Sequence, residues 1–249
     1  MITRRHLLAG TGGLLVAGCD RLDNDYRFRR VLRLGEKLSY RAQRLISDRA
    51  ALAREFQPEE RSPIFRANGT RLPPGDAYAA HAAARFVDWR LRIDGLVVRP
   101  QVIPLAAIRA MPARSQITRH DCVEGWSAIG KWTGVPLKLL LDLACVRSSA
   151  RFAVFHCADT IGNAPFPYYE SIDLVDAFHP QTILAWALND ALLPVGNGAP
   201  LRLRVERMLG YKHAKYVERI ELVDSLAGIG GGRGGYWEDV ADYEWYAGI

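Results

Sequence analysis

One cysteine in this chain sits where little but a tight, rigid loop can form. Cys122 lies in the run RHDCVEGWSAIGKWTGVPL, Arg119 to Leu137. Gly125, Gly130 and Gly134 relax the backbone and let the main chain approach a bulky group, while Trp126 and Trp132 can wall off water. Asp121 and Glu124 are the nearest carboxylates, and Arg119, His120 and Lys131 supply positive charge. A thiolate held in that setting is a soft metal ligand or a nucleophile.

The rest of the chain must supply the frame for that loop. With 249 residues there is room for one sizeable domain behind a leader. From Phe86 the pattern turns β-rich: Trp89 to Ile93 alternates as a half-buried strand, and Asp94-Gly95 reads as a hairpin turn into Leu96-Val97-Val98. Pro104 to Met111 and Pro136 to Ala144 read as short helices, the second starting at its proline. Arg151 to His156, Thr182 to Leu188, Pro200 to Glu206 and Tyr216 to Leu222 are further strands. Upstream, Leu38, Ala42, Leu45, Ile46 and Leu52 form an apolar stripe from Glu36 to Phe56, predicting an amphipathic helix packed on the domain. A membrane-lying helix or a partner contact is the alternative. GIGGGRGG, Gly228 to Gly235, has no fixed period and reads as a flexible loop rather than a phosphate cradle. The acidic, aromatic end YWEDVADYEWYAGI is expected to cover the domain or rim a cleft.

The N-terminus reads as an export signal. Thr3-Arg4-Arg5-His6-Leu7-Leu8 fits a twin-arginine pattern, and the apolar stretch Leu7 to Ala17 is too short and glycine-rich to span a bilayer. Val16-Ala17-Gly18-Cys19 fits a lipoprotein cleavage site that would leave Cys19 as the lipidated first residue. Ordinary cleavage near Ala17 is the alternative. Asp20 favours retention at the inner membrane, so the expected location is periplasmic, anchored to the outer face of the inner membrane. The formal net charge is +6; residues 1–18 carry Arg4 and Arg5 and no acid, so +4 remains without them. That mild excess implies no nucleic acid partner. With Cys19 lipidated and Cys122 set aside, Cys145 and Cys157 are expected as two buried free thiols, a disulfide between them being the alternative.

The run around Cys122 resembles the cysteine loop of the sulfite oxidase family, enzymes that carry molybdenum on a pyranopterin. A second, distant match is NGAPLRLRVERMLGYKHAKYVERIEL, Asn197 to Leu222, and the resemblance extends from about Phe65 to Ile249. It implies a mixed, β-rich α+β molybdopterin-binding domain over residues 63–249, behind a signal peptide (1–18) and a tether with a helix (19–62). It implies a molybdenum–molybdopterin cofactor, one molybdenum per chain, with Cys122 as the protein ligand to the metal. Twin-arginine export carries folded proteins, which suits an enzyme loaded with cofactor before transport.

The cofactor is polar and bears a phosphate, so cationic and amide side chains should surround it. In the strand Leu201 to Val205, Arg202 and Arg204 share one face, and Arg202 can grip a phosphate or pterin acceptors bidentately. Asn197 offers both donors and acceptors, and His213, Ala214 and Lys215 bring charge and backbone N–H groups. By resemblance, Asn197, Arg202 and His213-Ala214-Lys215 occupy cofactor-binding positions, Asn68 matches an asparagine of the entry segment, and Cys157 falls at a weak pterin contact. His120 is a candidate catalytic residue that donates protons at the metal centre; a structural hydrogen bond within the loop is the alternative.

In sulfite oxidases the residue before that asparagine is an arginine that holds the sulfite anion. Here it is Ala67, with arginine displaced to Arg66, and a one-residue offset on an extended segment reverses the face. Two-electron oxygen-atom transfer in the direction of S-oxide reduction is therefore expected over oxidation of sulfite. The chain has no haem-attachment motif and no iron–sulfur cysteine set. Its electrons must pass through a partner, and the resemblance to methionine-sulfoxide-reducing relatives implies a membrane b-type cytochrome. The rival readings are a non-catalytic exported lipoprotein that keeps the fold as a binding module, and a thiol-redox protein using Cys145 and Cys157.

Overall fold

The computed structural model describes residues 26–46, 48–162 and 165–249. The twin-arginine run and Cys19 lie outside the described residues. The chain divides into two compact units, Met1–Asp48 and Arg49–Ile249. In the first, the described part is one helix, α1 (Tyr26–Ile46). It begins well before the expected Glu36 because Phe28, Val31 and Leu34 extend the apolar stripe by two turns. It ends at Ile46 rather than Phe56, and the following residues join the second unit. There the Ala53 N–H donates to Gln181 Oε1 at 2.7 Å, the Phe56 N–H to the Ile117 carbonyl at 2.9 Å, and the Ser62 N–H to the Ile129 carbonyl at 2.9 Å. Residues 49–62 are thus part of the compact unit.

That unit is a mixed α+β domain built on two sheets. The first has the order β2–β1–β10–β5–β6, with β1 (Arg90–Gly95), β2 (Gln101–Pro104), β5 (Phe152–Cys157), β6 (Tyr169–Asp173) and β10 (Val217–Val223). All its pairings are antiparallel except β1 with β10. The second sheet runs β3–β4–β7, from β3 (Arg114–Asp121), β4 (Ser127–Pro136) and β7 (Ile183–Leu188), with β8 (Ala191–Leu192) and β9 (Arg202–Arg204) sharing the far edge of β7. Short helices cover them: α2 (Asp76–Ala83), α3 (Leu105–Ala110), α4 (Leu137–Ala144), α5 (Leu174–Ala177) and α6 (Tyr236–Ala241). In α4, Leu137, Leu140, Leu141 and Ala144 are buried, the i, i+3, i+4, i+7 spacing of one helix face. Among the described residues no helix is long and apolar enough to cross a membrane.

One hairpin differs from expectation. Asp94 and Gly95 do not turn the chain: they continue β1 alongside Glu221 and Leu222 of β10, and the returning strand is β2, with Ile93 opposite Gln101. A Cβ on Gly95 would lie 2.3 Å from the Leu222 carbonyl oxygen, so the glycine serves close strand approach rather than a two-residue turn.

Candidate active site

Cys122 opens the five-residue tip between β3 and β4, whose last pair is Asp121 opposite Ser127. Its N–H donates to the Trp126 carbonyl at 2.9 Å, and its carbonyl accepts from Gly125 at 3.0 Å. Gly125 closes the tip with φ +82°, a conformation that favours glycine. The sulfur is thereby held at the wall of a cavity of about 130 Å³, with its residue only 8 % exposed. Asn68 Nδ2 donates to Sγ at 3.4 Å. Burial pushes the Cys122 thiol pKa up, while the Glu124 N–H, Arg202 and the Asn68 amide pull it down. Binding a metal would settle that contest by displacing the proton.

Asn68, Cys122, Arg202, His213 and Lys215 all line this one cavity. Arg202, on β9, is buried; its Nη1 donates to the Asn197 carbonyl at 3.0 Å and its guanidinium lies 5.3 Å from the Trp132 ring centre. Burial, and then the neighbouring Arg204, lower its pKa to about 9. Lys215 Nζ spends its hydrogens on three carbonyls, those of Asn68 (2.7 Å), Thr70 and Gly196 (3.2 Å). It therefore clamps the entry segment to the Val195–Asn197 turn. Gly198 lets it in, since a Cβ there would meet the Lys215 side chain at 2.9 Å.

Four expected residues take other places. His120 is buried behind the cavity and does not line it. Its Nδ1 lies 3.0 Å from Arg204 Nη1; guanidinium only donates, so Nδ1 accepts and the ring is neutral with its hydrogen on Nε2. Burial, with Arg202 and Arg204 beside it, holds its pKa well below the usual histidine range. His120 is thus a structural partner of Arg204, not a proton donor facing the cavity. Cys157 is buried in the core, its Sγ turned to the Phe155 carbonyl, and it borders a separate cleft with Tyr78 and Trp89. Asn197 stands behind Arg202. Ala214 is buried, its carbonyl accepting from the Leu203 N–H at 2.8 Å. Cys122, Cys145 and Cys157 are free thiols, but Cys145 is only half-buried, with an Arg99 Nη2 at 2.8 Å from its sulfur.

Several cavity residues had not been singled out. Asp159 and Thr70 line it, and Trp237 and Tyr243 of the acidic, aromatic end form part of its rim, stacked on each other at 5.8 Å. The signal for Asp159 was an acid just past an apolar strand. The glycine-rich loop is occupied by the chain's own anion: Asp239 accepts from the N–H groups of Gly231 (2.7 Å) and Arg233 (3.0 Å). A polar groove of about 470 Å³ adjoins the cavity, sharing Asn68, Gly69 and Glu124 and adding Arg66, Ala67, Arg71 and Trp126.

An oxidoreductase molybdopterin-binding domain model matches residues 79–227, more than half of the chain. The chain belongs to this family, the sulfite oxidase kind. A curated relative, "Putative protein-methionine-sulfoxide reductase subunit YedZ1" of Azospira oryzae, is 39 % identical over 197 residues, covering 78 % of this chain and 70 % of that protein. Among solved structures, the sulfane dehydrogenase SoxCD from Paracoccus pantotrophus shares the fold with TM-score 0.51 at 24 % identity, over 56 % of this chain and 39 % of that one. The chain thus spans about two fifths of that structure's length.

This molybdopterin oxidoreductase is molybdenum-dependent, and its cavity fits the family's cofactor. Among the described residues no group of three or more His, Cys, Asp or Glu is placed to hold a metal, so a metal held in this cavity would need a group that brings further ligands of its own. Among the cavity-lining residues, Arg202 Nε, His213 Nδ1 and Asp159 Oδ1 are buried without partners. One is a donor and two are acceptors or acids, a mixed set that a pterin with a phosphate can satisfy. His213 Nε2 donates to the Met208 carbonyl at 3.1 Å, which leaves Nδ1 as an acceptor. The bound cofactor supplies the two-electron redox centre. The chain's own part is to hold the sulfur, set the cations and manage protons. Burial raises the Asp159 pKa to about 6, against the pull of Thr70 and Lys215, and burial with Arg202 lowers that of Lys215 to about 7.

Asp159 also makes a stability prediction for the cofactor-free chain. Its folded pKa of about 6 lies above the ordinary 3.8, so the fold favours the protonated acid and loses stability as pH rises from about 4 to about 6. An Asp159→Asn variant should lack that fall and gain on the order of 2–3 kcal/mol over wild type at neutral pH. Urea midpoints across this range measure it, and parallel profiles for the two proteins would refute the assignment.

Proposed function

We propose that this chain is the catalytic subunit of an exported S-oxide reductase in which Cys122 ligates molybdenum. One observation carries the substrate class. Arg66 does not line the cavity with Cys122 but lies over the Trp126 ring, 6.0 Å from its centre, in the adjoining groove. The position before Asn68 presents only the Ala67 methyl, which offers an anion such as sulfite no charge-assisted contact. An S-oxide is neutral at the reacting atom and needs none. The relative named as a methionine-sulfoxide reductase subunit supports the same direction. We assign the chain to the periplasm, tethered through Cys19 to the outer face of the inner membrane, because of its twin-arginine and lipoprotein-type N-terminus. Reduction consumes two electrons per turnover, and the relative's name as a subunit supports an electron-transfer partner, for which a membrane b-type cytochrome is our assignment.

The deciding test is oxidation of a reduced dye by the holoenzyme across methionine sulfoxide, peptide methionine sulfoxides, other S-oxides and N-oxides, with sulfite assayed in reverse. Turnover of S-oxides and none of sulfite is expected. Sulfite turnover with every S-oxide inert would replace reduction by sulfur oxidation on the same cofactor. A folded holoenzyme inert towards all of them would favour the binding-module reading.

A further inference from the structure

We infer that α1 is a membrane-surface helix that binds an anionic bilayer through its own two faces, independently of any lipid on Cys19 and of the substrate assignment. Its 21 residues span about 31 Å at about 1.5 Å per residue. At about 100° per residue, Phe28, Val31, Leu34, Leu38, Ala42, Leu45 and Ile46 fall within an arc of about 120°. Five of these are exposed: Val31 63 %, Leu34 53 %, Leu38 64 %, Leu45 86 % and Ile46 85 %, the last two the highest of any large apolar residue among those described. The helix sequence also carries seven Arg and Lys and a single Glu, Glu36; by the same angular spacing five of the seven basic positions fall on the opposite side, Arg41 borders the apolar arc and Arg27 falls within it.

Charge selects the occupant of the apolar face. A second copy of α1 would bring two helices of strongly positive sequence together, and a neutral apolar surface would match the apolar face alone. An anionic lipid surface satisfies both faces at once: the leucines enter the acyl boundary and the arginines meet the headgroups. The charge density forbids insertion across the bilayer, in keeping with the lack of a spanning helix among the described residues.

The test uses a chain of residues 20–249, which has no acyl group and keeps the compact unit Arg49–Ile249 with its own core. It is sedimented with phosphatidylglycerol–phosphatidylethanolamine vesicles and, separately, with phosphatidylcholine vesicles. Binding to the anionic vesicles should be at least about tenfold tighter and should weaken as salt is added. A Leu34→Glu/Leu38→Glu variant should lose about tenfold or more of that binding, with an unchanged urea midpoint showing that the compact unit is intact. Equal binding to both vesicles, binding untouched by the double substitution, or a chain that stays in the supernatant or pairs with itself instead would each overturn the inference.

Discussion

Replacing Cys122 by alanine should yield a folded chain that holds almost no molybdenum and has lost turnover by at least about 1,000-fold, on the order of 4 kcal/mol in the barrier. The sulfur's structural contribution is small. The backbone bonds that close the tip, Cys122 N–H to the Trp126 carbonyl and Gly125 N–H to the Cys122 carbonyl, do not involve Sγ. What Sγ receives is one long hydrogen bond, from Asn68 at 3.4 Å, so the expected change in stability is about 1 kcal/mol or less. Its chemical contribution has no substitute, because among the described residues no other thiol lines the cavity. Metal per chain and a urea midpoint, read on the same preparation, separate the two effects. A variant that keeps a full complement of molybdenum and turns over would remove Cys122 from the metal. One that fails to fold would show the sulfur to be structural.

The cysteine loop was legible because its chemistry is local: a glycine tip, a thiol and the strands on either side are contiguous in sequence. Arg202 and Lys215 were legible for a similar reason, as cations in a segment that also resembles the family. What local reading could not resolve was which way a side chain faces once two sheets pack. His120 neighbours Cys122 in sequence, yet strand alternation sends it into the interior to meet Arg204. Arg204 and Glu206, two residues apart, form an ion pair that is local in sequence, but its complete burial, at 2.5 Å, is not. Lys212 and Lys215, three residues apart, part company: Lys215 reaches the cavity, and Lys212 goes into the core beneath the terminal helix. Asp94-Gly95 misled because its turn chemistry was read without β10, which lies more than a hundred residues downstream and claims those residues as strand.

Replacing Lys212 by methionine should destabilise the fold by about 3–5 kcal/mol at neutral pH, the largest stability effect expected of any one substitution here. Lys212 Nζ lies 2.5 Å from Glu170 Oε2 and 2.5 Å from Glu238 Oε1, with all three side chains at 0–1 % exposure. The remaining oxygens, Glu170 Oε1 and Glu238 Oε2, have no partner of their own and converge beneath Gly235, where a Cβ would lie 2.6 Å and 2.1 Å from them. One ammonium cannot neutralise two buried carboxylates, and burial, then Glu238, drives the Glu170 pKa well above the carboxylate range. The lysine stays charged: burial opposes it, but the two glutamates outweigh that and raise its pKa. Without it the buried Glu170 must be protonated in the fold. Because its folded pKa lies above the ordinary 4.5, stability is highest near about pH 4 and falls as pH rises through neutrality. The deficit relative to wild type should therefore widen with pH, and Glu238→Gln added to the lysine variant should recover part of it. The triad ties β6 and the Gly210–Lys212 turn to α6, which carries Trp237 to the cavity rim. Quenching of tryptophan fluorescence should accordingly report a loosened rim before the sheets melt. Urea midpoints at several pH values decide the matter: a pH-independent deficit would mean that methionine merely packs badly there.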